Sequence, residues 1–366
     1  MRQDTIFSPS FGNRPSQLVG REDVLSSLLA GLQTTPGSRE RAVVMLGQRG
    51  SGKTVLLWEL ADQATAAGFA VATPTIAAEG MVGRIVEKIQ DAGSRYVSER
   101  SARVTGGSVG ALGFSAGLQF TRDVQETKSD AYKLTHLCRR LTEKGRGVLV
   151  LVDELQANSP EVRSLIATYQ ELVGEGQNIA LVMAGLPGAV SATLNDRVLT
   201  FLNRARKVTL EPLGFSEVDA FFLRAFRTLG LAVGDDLRRR ASEATEGSPY
   251  LLQLVGHNLV LYAADDGTVD EGALESALES ARRDFENDIC ETTLASLSDQ
   301  DVAFLRAVAA EGGRARMSAV AKRMGVTPDY AQKYRKRLLN AGVITAPERG
   351  RVAIAIPHLT GYLQQG

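Results

Sequence analysis

One stretch limits what this chain can fold into more than any other: Ala42 to Leu60, AVVMLGQRGSGKTVLLWEL. It reads as a strand, a glycine-bounded loop and a helix in succession. The run Ala42 to Leu46 is apolar without alternation, the pattern of a parallel strand covered on both faces, whereas Leu56, Leu57, Leu60 and Ala61 recur at helical spacing. Between them Gly47-Gln48-Arg49-Gly50-Ser51-Gly52-Lys53-Thr54 matches G-x-x-x-x-G-K-[ST]. In that spacing consecutive backbone N–H groups curl into an anion nest at a helix N-terminus, and glycine lets the main chain approach a phosphate. Lys53 is then expected to reach β- and γ-phosphate oxygens. The Thr54 hydroxyl is expected to ligate a Mg²⁺ ion that keeps several waters. The competing reading is a glycine-rich turn that binds nothing.

A second half-site follows the strand Val148 to Val152, which runs into Asp153-Glu154. At a strand's carboxyl end Asp153 would hold Mg²⁺, usually through its waters, and Glu154 would orient or deprotonate a water attacking the γ-phosphate. Alternatively Glu154 is an acidic start to the next helix, where the dipole favours it. Arg204 and Arg206 precede the last core strand, Val208-Thr209-Leu210. Either could neutralise transition-state charge, in its own chain or a neighbour's, or lie on a solvated rim.

At 366 residues the chain exceeds what one hydrophobic core usually supports. The pattern divides it into four segments. Residues 1–40 form an extended arm and an amphipathic helix through Leu25, Leu28, Leu29 and Leu32; residues 41–213 form an α/β core. Within that core, Leu112 to Phe120 alternates with period two and is read as part of a β-hairpin insert over about 103–122, serving as a flap. Residues 214–297 read as helices alone, a lid interrupted by Gly247-Ser248-Pro249, which either approaches the phosphates or is a plain turn. Residues 298–366 read as a winged helix-turn-helix: a helix from Asp301, a second over Ser318 to Met324, a third opened by Thr327-Pro328, and a hairpin tipped by Glu348-Arg349-Gly350-Arg351.

Formal net charge is zero, with 42 basic and 42 acidic residues, yet from Asp299 onward there are 11 Lys/Arg against 5 Asp/Glu. A basic tail on an acidic body fits a nucleic-acid contact or a solvated face. Gln332, Lys333, Lys336, Arg337 and Asn340 on the third helix, with Arg349 and Arg351 on the hairpin, carry the groups that pair with bases and phosphates. Asp329 at the leading end opposes that role. Cys138 and Cys290 have no metal-ligand spacing, no segment is apolar enough to span a membrane, and the first residues lack an apolar export core. A cytoplasmic protein with free thiols is expected.

Taken together, Leu18-Val19-Gly20-Arg21-Glu22, the phosphate loop, Asp153-Glu154-Leu155-Gln156, the arginines, Gly247-Ser248-Pro249 and the terminal segment resemble the AAA+ and STAND P-loop ATPases. The branch that includes origin-recognition and archaeal initiator proteins is the most similar. The resemblance implies a five-stranded parallel core, adenine near Val19, Gly20 and Arg21, Pro249 close to the nucleotide, and an ATP-driven change of lid angle or assembly. It also implies a double-stranded DNA or protein partner and a homo-oligomer in the ATP state. Two departures favour a slow switch over a motor. Ala184-Gly185-Leu186-Pro187 lacks the polar sensor that many related ATPases aim at the γ-phosphate, and Gly247-Ser248-Pro249 stands in place of a lid arginine. The expected function is therefore an ATP-binding and hydrolysing switch, with ATP and Mg²⁺ as cofactors, that couples nucleotide state to DNA binding. An ATP-gated protein-interaction switch and a small-molecule or nucleotide kinase are the rivals.

Overall fold

The structure, a computed structural model, describes residues 4–10, 14–15, 17–97, 114–116, 118–120, 122–156, 159–195 and 199–365. The first body contains α1 (Glu22–Leu32), β1 (Ala42–Leu46), α2 (Lys53–Ala66), β2 (Ala70–Ile76), α3 (Met81–Ser94), β3 (Phe114–Ala116), β4 (Gln119–Phe120), α4 (Arg122–Thr127) and α5 (Asp130–Glu143). It continues through β5 (Val148–Asp153), α6 (Pro160–Gly174), β6 (Ile179–Gly185), α7 (Pro187–Leu194) and β7 (Arg206–Thr209).

Five of these strands form one parallel sheet in the order β2-β5-β6-β1-β7. Unbroken apolar runs suit it because both faces are covered. Val44, Ala72, Val150 and Met183 pack with Ile85, Leu137 and Leu165 of α3, α5 and α6 on one side; Val43, Met45, Leu151 and Val182 pack with α1 and α2 on the other. The carboxyl ends of β1 and β5 thus open on the same edge of the sheet, where Gly47 and Asp153 emerge.

Local details depart from the sequence reading. From Phe69 to Thr73 the sequence reads as a second strand closed by Pro74, but β2 runs on to Ile76 across a bulge between Ala72 and Thr75. As an edge strand it can absorb a residue without an N–H. The alternating run through Phe120 is folded back on itself, since Phe114–Ala116 pairs antiparallel with Gln119–Phe120. The remainder of the expected insert, residues 103–113, 117 and 121, lies outside the described residues.

The lid follows as α8 (Phe215–Leu229), β8 (Ala232–Val233), α9 (Asp235–Ala244), α10 (Pro249–Tyr262), β9 (Thr268–Val269) and α11 (Glu271–Phe285). Its strands are a two-residue parallel ladder between helices, too short to leave a period-two signal. A π-helical turn, Glu286–Glu291, carries α11 into α12 (Thr292–Ala295). Then come α13 (Asp299–Ala309), β10 (Arg314–Arg316), α14 (Met317–Met324), α15 (Pro328–Asn340), β11 (Ile344–Thr345), β12 (Arg351–Ile354) and α16 (Leu359–Gln365), with an antiparallel sheet ordered β10-β12-β11. Thr327 caps α15 by accepting from the Tyr330 N–H, with Pro328 in the first turn. One apolar cluster joins Phe285 and Cys290 to Phe304, Val308 and Leu359, so the lid and the C-terminal segment share a core.

Candidate nucleotide site

The phosphate loop has the backbone that an anion nest needs. Gly50 (φ 73°) and Gly52 (φ 83°) are left-handed, a conformation other residues adopt only at a cost, and Gly52 caps α2. Lys53 folds over the loop: its Nζ donates to the carbonyl oxygens of Gly47 at 2.9 Å and Gln48 at 2.7 Å. Burial lowers its ammonium from 10.5 to about 8, opposed by the Asp153 and Glu154 carboxylates and reinforced by Arg49. A half-buried cation held by carbonyls is poised for an anionic partner. Ser51 Oγ is buried and has no hydrogen-bond partner. Arg49 points to solvent.

Thr54, in the first turn of α2, and Asp153, at the end of β5, meet: the Thr54 hydroxyl donates to Asp153 Oδ2 at 2.6 Å. A hydroxyl and a buried carboxylate are hard oxygen donors of the kind Mg²⁺ takes. No cluster of three or more His, Cys, Asp or Glu side chains occurs among the described residues. The neighbouring Glu154 is exposed, has a left-handed backbone (φ 51°), and is held there by its own N–H donating to Asp153 Oδ1 at 2.8 Å. Left-handed geometry in a non-glycine residue concentrates at functional positions.

A cavity of about 780 Å³ opens from this loop, lined by Gly50 to Val55, by residues 8–10, 14–15, 17–19 and 21 of the arm, and by the lid. Val19 and Arg21 line it. Gly20 (φ 61°) could not carry a side chain, because a Cβ there would lie 2.9 Å from Glu217 Oε2 and from Leu213 Cδ2. The Arg21 guanidinium is buried and donates to the Glu211 carbonyl, so its head tethers the arm to the core–lid connection. From the lid, Pro249 and Tyr250 close on the glycines: a Cβ on Gly52 would be 3.7 Å from Pro249 Cγ, and one on Gly50 would be 3.3 Å from Tyr250 Cβ.

Both arginines lie at the other end of the sheet. In the parallel register Arg206 pairs with Val43, at the start of β1, whereas the phosphate loop follows its end. Arg206 donates to Ser27 Oγ at 2.7 Å and pairs with Glu40 at 3.5 Å. These contacts correct the expectation that it reaches its own chain's γ-phosphate. Arg204 is exposed on the same rim.

The segment after β6 is occupied by a contact between bodies. Gly188, in the first turn of α7, lies so close to Asn340 that a Cβ would fall 1.7 Å from its carbonyl oxygen. Gly342 (φ 68°), the turn behind α15, abuts Gln48 Oε1 and Pro187. The carboxyl end of α15 is thus seated on the phosphate loop and α7. Of the residues read as DNA contacts, Gln332, Lys333 and Lys336 are exposed, as is Arg349 on the hairpin tip. Others are engaged within the protein. Arg337 pairs with buried Asp301 and donates to Ser298 Oγ at 2.7 Å; Arg351 pairs with Glu348 at 3.3 Å; the Asn340 main chain meets α7. For Arg337 and Arg351 the opposing carboxylate, invisible to a helical-face count, is why the expected free basic face is smaller.

Residues 17–182 match the profile of the family described as AAA ATPase domain. Over those residues the chain is similar to AAA ATPase domains. Residues 287–363 match a domain of unknown function, DUF8462, whose start falls in the π-helical turn that leaves the lid. No curated protein matches the chain. Among solved structures, the Walker-type ATPase PABY2304 of Pyrococcus abyssi aligns at TM-score 0.71 and 18% identity, over 96% of this chain and 97% of that one. The Aeropyrum pernix ORC2 protein, solved as ADPNP-ADP complexes, aligns at TM-score 0.63 and 16% identity, over 98% and 95%. Those similarities establish that the AAA core, lid and C-terminal segment share one overall fold with these proteins.

The sequence reading missed Trp58 and Arg14, which line the nucleotide-site cavity with the guanidinium carbon 4.1 Å from the centre of the indole. The signal was present: Trp58 is four residues past Thr54, so both share a face of α2.

Proposed function

We propose that the chain is a cytoplasmic ATP-binding and hydrolysing switch in which nucleotide state sets how the C-terminal segment meets double-stranded DNA. One observation carries the reading. Gln48 belongs to the phosphate loop and also packs on the turn that ends α15, so a change at the nest acts on that helix directly. Lys53 exchanges loop carbonyls for phosphate oxygens when nucleotide arrives, which releases the Gly47 and Gln48 carbonyls. Glu154 orients the attacking water and takes its proton. Mg²⁺, held through Thr54 and Asp153, supplies neutralisation of phosphate charge. The exposed Arg204 acts on a neighbour's nucleotide, which makes a homo-oligomer the active ATP form.

In this reading α13 to β12 is a winged helix whose Gln332, Lys333, Lys336 and Arg349 face DNA. The test is anisotropy of a labelled mixed-sequence duplex with ATP, ADP or no nucleotide, over a salt series. Binding should change with nucleotide, and the logarithm of affinity should fall with that of salt, by about 0.9 per neutralised phosphate. The Lys333→Ala/Lys336→Ala variant should lower that slope by roughly two such contacts. Absence of binding in every nucleotide state would overturn the DNA assignment. A second reading, an ATP-gated protein-interaction switch, gains weight from the internal pairing of Arg337 and Arg351 and the docking of Asn340.

A further inference from the structure

We infer that Arg14 and Trp58 are the base-recognition pair of the cavity, stacking on the nucleobase while the loop holds the phosphates; this rests on the nucleotide reading above. Thr54, Trp58 and Asp62 recur at four-residue spacing along one face of α2, about 6 Å apart along the axis. Thr54 belongs to the phosphate end. Trp58 is one turn on and presents its ring to the cavity. Asp62, a further turn on, holds Arg14 Nη1 at 2.6 Å, and that places the guanidinium 4.1 Å from the Trp58 ring centre.

The charge arrangement identifies what this end receives. Asp62 neutralises Arg14, so the pair offers flat, polarisable faces rather than net positive charge. A phosphate has no use for such a plate, whereas an aromatic base stacks on it. Purines, with the larger face, fit it best.

Arg14 is placed by its ion pair with Asp62 of α2. Residues 4–8 are fixed to the lid: Asp4 Oδ2 meets His257 Nδ1 at 2.7 Å, and the Ser8 N–H donates to Gln253 Oε1 at 2.8 Å. Phe7 fills the notch at Gly256, where a Cβ would come within 2.1 Å of its ring. The cavity that Arg14 and Trp58 line also takes Pro249, Tyr250 and Gln253 from the lid, so a base seated there lies against both bodies.

The experiment compares ATP with inorganic tripolyphosphate, each with Mg²⁺, by titration calorimetry on the full chain. Arg14→Ala and Trp58→Ala should weaken ATP about tenfold and leave tripolyphosphate within about twofold, while Trp58→Phe keeps most of the ATP affinity. Trp58 is the chain's single tryptophan, so ATP should quench its emission and tripolyphosphate should not. Equal losses for both ligands, or unchanged ATP affinity in Arg14→Ala and Trp58→Ala, would overturn the pair's role. If Lys53→Ala abolishes binding of both ligands while these variants bind ATP normally, only the base assignment falls. If the parent chain binds neither ligand, the nucleotide reading falls with it.

Discussion

Gln48 and Gly342 are in contact across the two ends of the molecule: a Cβ on Gly342 would lie 2.4 Å from Gln48 Oε1. One residue belongs to the phosphate loop, the other to the turn behind α15. A few residues away, Gly188 is pressed still harder onto the Asn340 main chain. Gln48 can swing aside, but backbone cannot, so Gly188→Ala is the stronger undocking change. It should raise amide exchange across 337–342 while β6 stays protected. Unchanged exchange in that segment would mean that this contact does not hold the C-terminal segment.

Lys53→Ala and Glu154→Gln separate binding from turnover. Loss of the ammonium should weaken ATP at least a hundredfold, by roughly 3 kcal/mol or more. Glu154→Gln should bind ATP about as the parent does and release phosphate about 10²–10⁴ times more slowly. Nucleotide binding and single-turnover phosphate release check the two. Hydrolysis at the parent rate in Glu154→Gln would place the base elsewhere.

Arg337 and its neighbours on α15 should behave differently. Arg337→Ala leaves buried Asp301 without its cation, and Asp301 Oδ1 already lacks a partner. A cost of about 1–3 kcal/mol is expected in urea unfolding. Lys333→Ala and Lys336→Ala, both on exposed positions, should each stay within about 0.5 kcal/mol of the parent. If Arg337→Ala is equally silent, its pairing with Asp301 contributes nothing.

Arg206→Ala should hydrolyse ATP within about twofold of the parent, because its guanidinium serves Ser27 and Glu40. Arg204→Ala should slow turnover only where the rate per chain rises with protein concentration. Loss of turnover in Arg206→Ala at high dilution would restore a role within its own chain.

Both thiols should be inert in the folded chain. Burial pushes the Cys138 thiol far up, and burial with Glu286 and Glu246 nearby pushes Cys290 up to about 12. The folded state therefore keeps protons that the unfolded chain loses near pH 8.5. The stability this provides is full below that value and is lost as pH rises toward 12. Alkylation at about pH 9 should be at least a hundredfold slower than in denaturant. Rapid labelling of either thiol in native protein would contradict its burial.

The phosphate loop, Asp153 and the core strands were legible because each is a local pattern: Gly50 and Gly52 sit where only glycine is comfortable, and Val148 to Val152 is apolar throughout because two faces are covered. Arg206 stayed open between a phosphate contact and the rim because its proximity to a core strand says nothing about which end of that strand it occupies. Arg337 was read as solvent-facing, correctly by exposure, yet its partner Asp301 lies 36 residues away. The α7 helix gave little signal: it is short, and its apolar residues lack a clean polar face.

By itself the sequence determined the chemistry at each station of the chain: an anion nest with a lysine, a carboxylate at a strand end, a capped helix with basic residues. Backbone preference and hydrophobic period act over a few residues, and those are written locally. Tertiary structure alone decided what those stations touch. It set Thr54 against Asp153, Arg14 over Trp58, and Gln48 against Gly342, because such pairings arise from how strands are ordered and bodies are packed. Contacts between residues far apart in sequence depend on the burial of the whole core, and no local pattern records them.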